Sequence, residues 1–324
     1  MNATEPPAAN LAPDGSNTQA APEQVTPSMT SPTPIGRQSL NNFQPSTPDA
    51  AASADIAQGA AGSDITGAIP QAAMGGRKSG TLAVPPSERL PETIGGAALR
   101  AAALKGDAAA AYEIATRFAD GKGVAQNLDE AAKWFDRAAQ AGVVPAIFRL
   151  GTFYEKGLSV KKDVDVARRY YLQAAERGNA KAMHNLAVLD ADGGGKGANY
   201  RSAAQWFRKA AEHGVADSQF NLGILYARGI GVDQNLAESY KWFSLAAAQG
   251  DADAATKRDD VAKRMDAQSL AAAKLAIQTF TAEPQPEEAV IVATPPGGWD
   301  ALPTQTTSAK PIVRPLGPIK RASR

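Results

Sequence analysis

The chain has 324 residues, with 34 lysines and arginines against 33 aspartates and glutamates, a formal net charge of +1, two histidines and no cysteine. That balance argues against nucleic acid and other polyanions as partners, which need a concentrated basic face, and the absent thiol removes disulfides, thiolate metal sites and cysteine nucleophiles together. Length alone would allow two domains, but the composition is uneven, so length overstates the folded part.

Residues 1–88 are rich in Ala, Pro, Ser, Thr, Gln and Gly, and Phe43 is the one aromatic among them. Such a stretch buries too little apolar area to offset ordering its backbone at about 1–2 kcal/mol per residue, so a disordered linker is expected. Its start, Met1 to Pro7, shows no basic cluster ahead of an apolar run, so no signal peptide is expected. No run approaches the roughly 18 apolar residues of a membrane span, so no direct membrane insertion is expected either. The Pro/Ala-rich opening also allows the chain to be the tail end of a longer product whose anchor lies upstream of Met1.

Helical pattern begins near Pro91-Glu92. Residues 92–106 take the slot of a second helix with Ala98 where a tryptophan would stand, which suits an N-terminal cap. A 36-residue period then governs the chain. It aligns Trp134, Tyr170, Trp206 and Trp242, then Phe135, Tyr171, Phe207 and Phe243, and the glycines Gly142, Gly178, Gly214 and Gly250. Four full repeats over 107–250 are expected, each a pair of helices that buries its apolar face against its neighbours. In the first helices a small residue and a leucine stand four apart (Ala146 and Leu150, Ala182 and Leu186, Ser218 and Leu222), which puts them on one face. Asn127, Asp163, Asn199 and Asn235 form one column just before the second helices, where a short polar side chain caps free N–H groups. The four rings of the Trp134 column are expected to be the packing between units.

The third repeat departs from the pattern. It has Asp190 where the others have Phe118, Tyr154 and Tyr226, and its loop reads Gly193-Gly194-Gly195-Lys196-Gly197. Glycine follows the lysine where a phosphate cradle needs serine or threonine, so a looser joint is the expectation. Residues 251–280 read as two capping helices, the first with Arg258 in the leucine column. From residue 281 to 324 Pro, Thr and Gly return, and a flexible tail is expected, with Trp299 as a candidate docking element.

No catalytic residue, metal site or cofactor is expected. His184 and His213 stand on different helices with no cysteine or third histidine to complete a zinc site, and no nucleophile-elbow or dinucleotide motif is present. What remains is a surface. The first helices of a stacked helix-pair solenoid line one concave side, and their columns carry Tyr112, Phe148, His184 and Phe220, beside Arg149, Asn185 and Asn221. Aromatics interleaved with amide and guanidinium donors suit an extended peptide or protein partner; the alternative for the rings is packing between helices.

The unit Ala-x-x-Trp-Phe-x-x-Ala-Ala-x-x-Gly, joined to Asn/His-Leu-Gly/Ala and Gly-x-Gly-Val, resembles the Sel-one-like repeat, a relative of the tetratricopeptide repeat. The resemblance implies an all-α, right-handed α/α superhelical solenoid that scaffolds protein complexes. The runs Lys181 to Leu189, Asp217 to Leu222 and Lys257 to Lys263 are similar to the C-terminal repeat region of PodJ-type polar localisation factors of α-proteobacteria, which implies a periplasmic setting, with a cytoplasmic one as the alternative. The coiled coil and membrane span of that family are not in this sequence. The expected function is a non-enzymatic interaction scaffold of the bacterial envelope, in polar localisation or complex assembly. A periplasmic regulator docking on a sensor kinase and a cell-wall hydrolase are the alternatives.

Overall fold

The computed structural model describes residues 89–193 and 197–300, all within one compact unit, Pro32–Arg324. The expected linker over 1–88, residues 301–324 of the expected tail and the centre of the Gly193–Gly197 loop lie outside the described residues.

Among the described residues there are twelve α-helices and no strand. A 3-10 turn at Glu92–Ile94 leads into α1 (Ala97–Leu104). Four pairs follow: α2 (Ala108–Asp120) with α3 (Leu128–Gln140), α4 (Val144–Lys156) with α5 (Val164–Glu176), α6 (Ala180–Asp192) with α7 (Tyr200–Glu212), and α8 (Ala216–Arg228) with α9 (Leu236–Ala248). The helices α10 (Ala252–Ala262) and α11 (Ala267–Gln278) close the stack, and a single turn, α12 (Glu287–Val290), comes last. From α1 to α10 each helix packs on its neighbours in sequence, and α11 folds back onto α9, which makes the described helices an α-solenoid.

The local causes repeat with the sequence. Every second helix starts on a side-chain cap: Asn127, Asp163, Asn199 and Asn235 accept from the N–H groups of Glu130, Val166, Ser202 and Glu238 at 2.9 to 3.1 Å. The residue that supplies each cap also ties the loop shut, its own N–H donating to the carbonyl of Phe118, Tyr154, Asp190 or Tyr226. At the other end of each pair the chain turns through a glycine in the left-handed region, from Gly106 at φ 86° to Gly250 at 96°. The residue after each of these glycines donates to a carbonyl five positions back, so the joints between repeats share one geometry.

The core forms between helices of small and large residues. Ala146, Ala182, Ser218, Leu186 and Leu222 are fully buried and Leu150 nearly so, as the four-residue spacing predicts. The aromatic packing differs from expectation by one residue. Phe135, Tyr171, Phe207 and Phe243 are all buried at 0–1% exposure, while in the preceding column Trp134 and Trp242 are buried but Tyr170 and Trp206 are only half-buried. The inner column faces the partner helix of its own repeat. The outer one lies about 100° further round and reaches the edge of the stack. In the third repeat Asp190 pairs with Arg168 and accepts from Ser202, where the second repeat has Tyr154 stacked on Tyr170 at 5.6 Å.

The termini also differ from the sequence reading. The first helix begins at Ala97 rather than at residue 92, because Gly95 sits at φ 149° with Arg117 and Leu99 packed where a side chain would stand. Residues 281–300, expected within the flexible tail, lie instead along the repeats.

Candidate interaction surface

The first helices α2, α4, α6 and α8 carry the residues expected to form a groove. Their rings are packing elements first. Tyr112 meets Phe135, Phe148 meets Tyr171, His184 meets Phe207 and Phe220 meets Phe243, with centroids 5.6–5.7 Å apart, one pair in each repeat. Phe220 is fully buried, so it offers a ligand nothing; Tyr112 and Phe148 are half-buried and keep an open side. His184 is 8% exposed, and its Nδ1 lies 2.8 Å from the Ser218 hydroxyl of the next repeat.

The polar column divides in the same way. Asn185 and Asn221 are buried at 5% and 1%, and the Asn221 Oδ1 has no hydrogen-bond donor among the described residues. Arg149 is half-buried. Beside them the Tyr171 hydroxyl donates to Glu155 at 2.6 Å and lies 3.2 Å from the Thr152 hydroxyl. Burial, reinforced by the Glu155 charge, pushes that phenol well above its usual range, so it stays a donor at any ordinary pH. The first-helix face is thus sealed in the third and fourth repeats and open at Tyr112, Phe148 and Arg149 in the first two.

Along the turns between the repeats run the chain's own residues 282–300, in the opposite direction to the repeats. Glu283 is held at two points: its N–H donates to the Glu212 carbonyl at 2.9 Å, and His213 Nδ1–H donates to its carbonyl at 2.9 Å. The Gln285 side chain then accepts from the Ala180 N–H at 2.8 Å, at the first turn of α6. The Pro286 ring lies against Gly178, where an added Cβ would come within 2.6 Å of it. Asn179 does double service, its Oδ1 capping α6 at Ala182 while its Nδ2 donates to the Ala289 carbonyl at 2.7 Å. Ala289 is fully buried, and α12 packs on α4. At the far end Asp300 meets Arg117 at 2.7 Å, and the Trp299 carbonyl lies beside Gly96.

Arg117 is the anchor of that end. It is 4% exposed, its Nε donates to Glu113 at 2.8 Å and its Nη1 to the Ile94 carbonyl at 3.0 Å, which leaves Nη2 aimed outward at Asp300. The guanidinium in turn holds the Asp300 carboxyl below its ordinary range, first through the hydrogen bond and then through charge. Of these contact residues, the sequence reading offered Trp299 alone as a docking element; Gly178 entered it as a turn glycine and His213 as an isolated histidine. Glu212, His213, Asn179 and Arg117 act through carbonyls, caps and one buried cation, which leave no periodic signal.

Other chemistry is sparse. Among the described residues no three His, Asp or Glu side chains come together as a metal-holding group, and no helix is long and apolar enough to cross a membrane. A cleft lined by Ile224, Arg228, Phe243, Lys257, Val261 and Arg264 holds about 190 Å³, below the roughly 300–1,000 Å³ of small-molecule sites.

Comparison with known proteins agrees with this geometry. The Sel1 repeat model matches residues 108–143, 144–179, 180–215 and 216–251. Among solved structures, the chain is similar to a protective antigen present in uropathogenic Escherichia coli strains that displays an SLR fold, at 29% identity and a TM-score of 0.52, covering 59% of this chain and 41% of that one. It is also similar to a Sel1 repeat protein from Oxalobacter formigenes, at 31% identity and a TM-score of 0.47, covering 50% of this chain and 48% of that one. The chain thus spans less than half the length of either structure. Curated proteins give no match.

Proposed function

From the premise that residues 108–251 are four tandem Sel1 repeats, we propose that the chain is a non-enzymatic scaffold that holds a protein partner of the bacterial envelope along its first-helix face. Repeats of this kind serve in general as protein–protein interaction scaffolds. A role in polar localisation or complex assembly is the setting that the sequence resemblance implies. The observation that carries the reading is the first-helix face of α2 and α4, where Tyr112, Phe148 and Arg149 stay half open while the equivalent positions of α6 and α8 are sealed. Rings and a cation spread over two neighbouring helices suit an extended polypeptide better than a small molecule.

The test is a cross-linked pull-down from native envelope extract with the full chain beside the double variant Phe148→Ala, Arg149→Ala, both checked by circular dichroism. A partner retained by the first and lost by the second supports the reading. The same partners on both baits would move binding to the second-helix side or the termini, and activity on cell-wall material by either would revive an enzyme.

A further inference from the structure

Residues 282–300 contain four acidic side chains, Glu283, Glu287, Glu288 and Asp300, and no basic one. They reach the repeats through a defined set of contacts: a backbone pair at Glu283, an amide at Gln285, a proline on Gly178, a small residue at Ala289, and an acid on Arg117. Most of these contacts use main-chain groups or glycine surface. A second polypeptide with the same few side chains would make them equally well. Resting on the scaffold reading above, we infer that the strip from His213 to Arg117 is a peptide-binding track, that its ligand is an acidic, proline-containing extended segment ending in an aromatic–acid pair, and that residues 282–300 occupy it in cis as a displaceable competitor.

Three features favour displacement over a permanent seal. The Trp299 indole nitrogen is buried with no hydrogen-bond acceptor among the described residues, so the tail fits its own anchor imperfectly. Val290 and Ile291 are 45% and 56% exposed, so the centre of the tail buries little apolar area. The Asp300 contact is half open to water, its side chain being 57% exposed, which weakens the charge pair through screening. Arg117, by contrast, is also held by Glu113 and the Ile94 carbonyl, two contacts that do not involve the tail. The receptor half of the contact is rigid and the ligand half is loosely held.

The experiment uses the full chain with a site-specific protease sequence inserted after Phe280. After cleavage and removal of the released tail, a fluorescein-labelled peptide of residues 282–300 is titrated against cut and uncut protein by anisotropy. The cut protein is expected to bind at least tenfold more tightly. Asp300→Ala in the peptide should lose about two- to fivefold, and Trp299→Phe, which removes the orphaned N–H, should bind as well or better. Should the cut protein lose its helical circular dichroism, the uncut chain carrying Asp300→Lys replaces it and is expected to bind the peptide more tightly than the uncut parent. Equal binding by tail-bearing and tail-released protein, or no binding by either, overturns the inference. Concentration-dependent dimers abolished by Asp300→Lys would also overturn it, placing a second copy's tail on the track. Envelope partners captured equally by cut and uncut chain would leave the scaffold reading standing and remove the competitor. Peptide binding with no captured partner would do the reverse.

Discussion

Trp206 and Phe207 are neighbours in sequence and unequal in the fold. Phe207 is fully buried against His184, whereas Trp206 is half-buried under the Lys209 ammonium, 4.3 Å from its ring. Phe207→Ala should therefore cost about 3–5 kcal/mol and Trp206→Ala clearly less, about 1–2 kcal/mol, since part of that ring already meets water. Urea unfolding monitored by circular dichroism measures both, and equal losses would contradict this placement of the core. The period made both residues legible as a packed pair; it did not say which faced inward, because both columns repeat equally well and differ only in direction round the helix. Glycines divide similarly. Gly231 and Gly250 both have positive φ, at 68° and 96°, but a Cβ on Gly231 would lie 2.3 Å from the Tyr200 carbonyl while one on Gly250 meets nothing within 4 Å. Both alanine variants carry the left-handed penalty of about 1 kcal/mol, and only Gly231→Ala must also move backbone, so it should be the less stable by a further 1 kcal/mol or so in the same assay.

At the scale of the helix, the caps show how far side-chain pattern reaches. Asn127, Asp163, Asn199 and Asn235 were readable because a short polar residue recurs at a fixed offset before each second helix, and all four cap in the structure. Asn179 has the same geometry at the start of α6, yet its Nδ2 also binds the Ala289 carbonyl, a partner 110 residues away. Nothing in a 36-residue period encodes that second bond. Asn235→Ala should cost about 1 kcal/mol, the worth of a cap, whereas Asn179→Ala should cost about 1 kcal/mol more because a buried carbonyl loses its donor too. Proteolysis offers a second readout, in which Asn179→Ala alone exposes residues 284–293 to cleavage. Equal stability losses with an unchanged cleavage pattern would mean that the tail contact contributes nothing. The return of Pro, Thr and Gly suggested a flexible tail, yet Pro286 and Ala282 lie flat on Gly178 and Gly214; the order of the segment comes from the surface it touches, which the tail sequence alone does not show.

For the whole chain, the tail links the last repeats back to the N-terminal cap, and the link ends in one ion pair whose sign sets its pH dependence. The Asp300 carboxyl is held low by Arg117, with smaller help from Lys122 and the Gly96 N–H, while Arg117 is itself raised by Asp300 and Glu113 and stays charged throughout. A group whose docked pKa is depressed stabilises docking above its free value, about 3.9 for aspartate, and loses that contribution as pH falls through the docked value. Hydrogen–deuterium exchange over residues 286–300, corrected for intrinsic rate, should accordingly show protection that is level from neutrality down to about pH 5 and falls below about pH 4. In Asp300→Asn the protection should start lower and stay flat across the same range, since no charge is left to titrate against Arg117. The effect will be modest, because Asp300 is largely exposed and water screens the pair. A parent profile as flat as the variant's would mean that backbone contacts at Glu283 and Ala289 hold the tail by themselves. In that case any partner must compete at the His213 end of the track, not at Arg117.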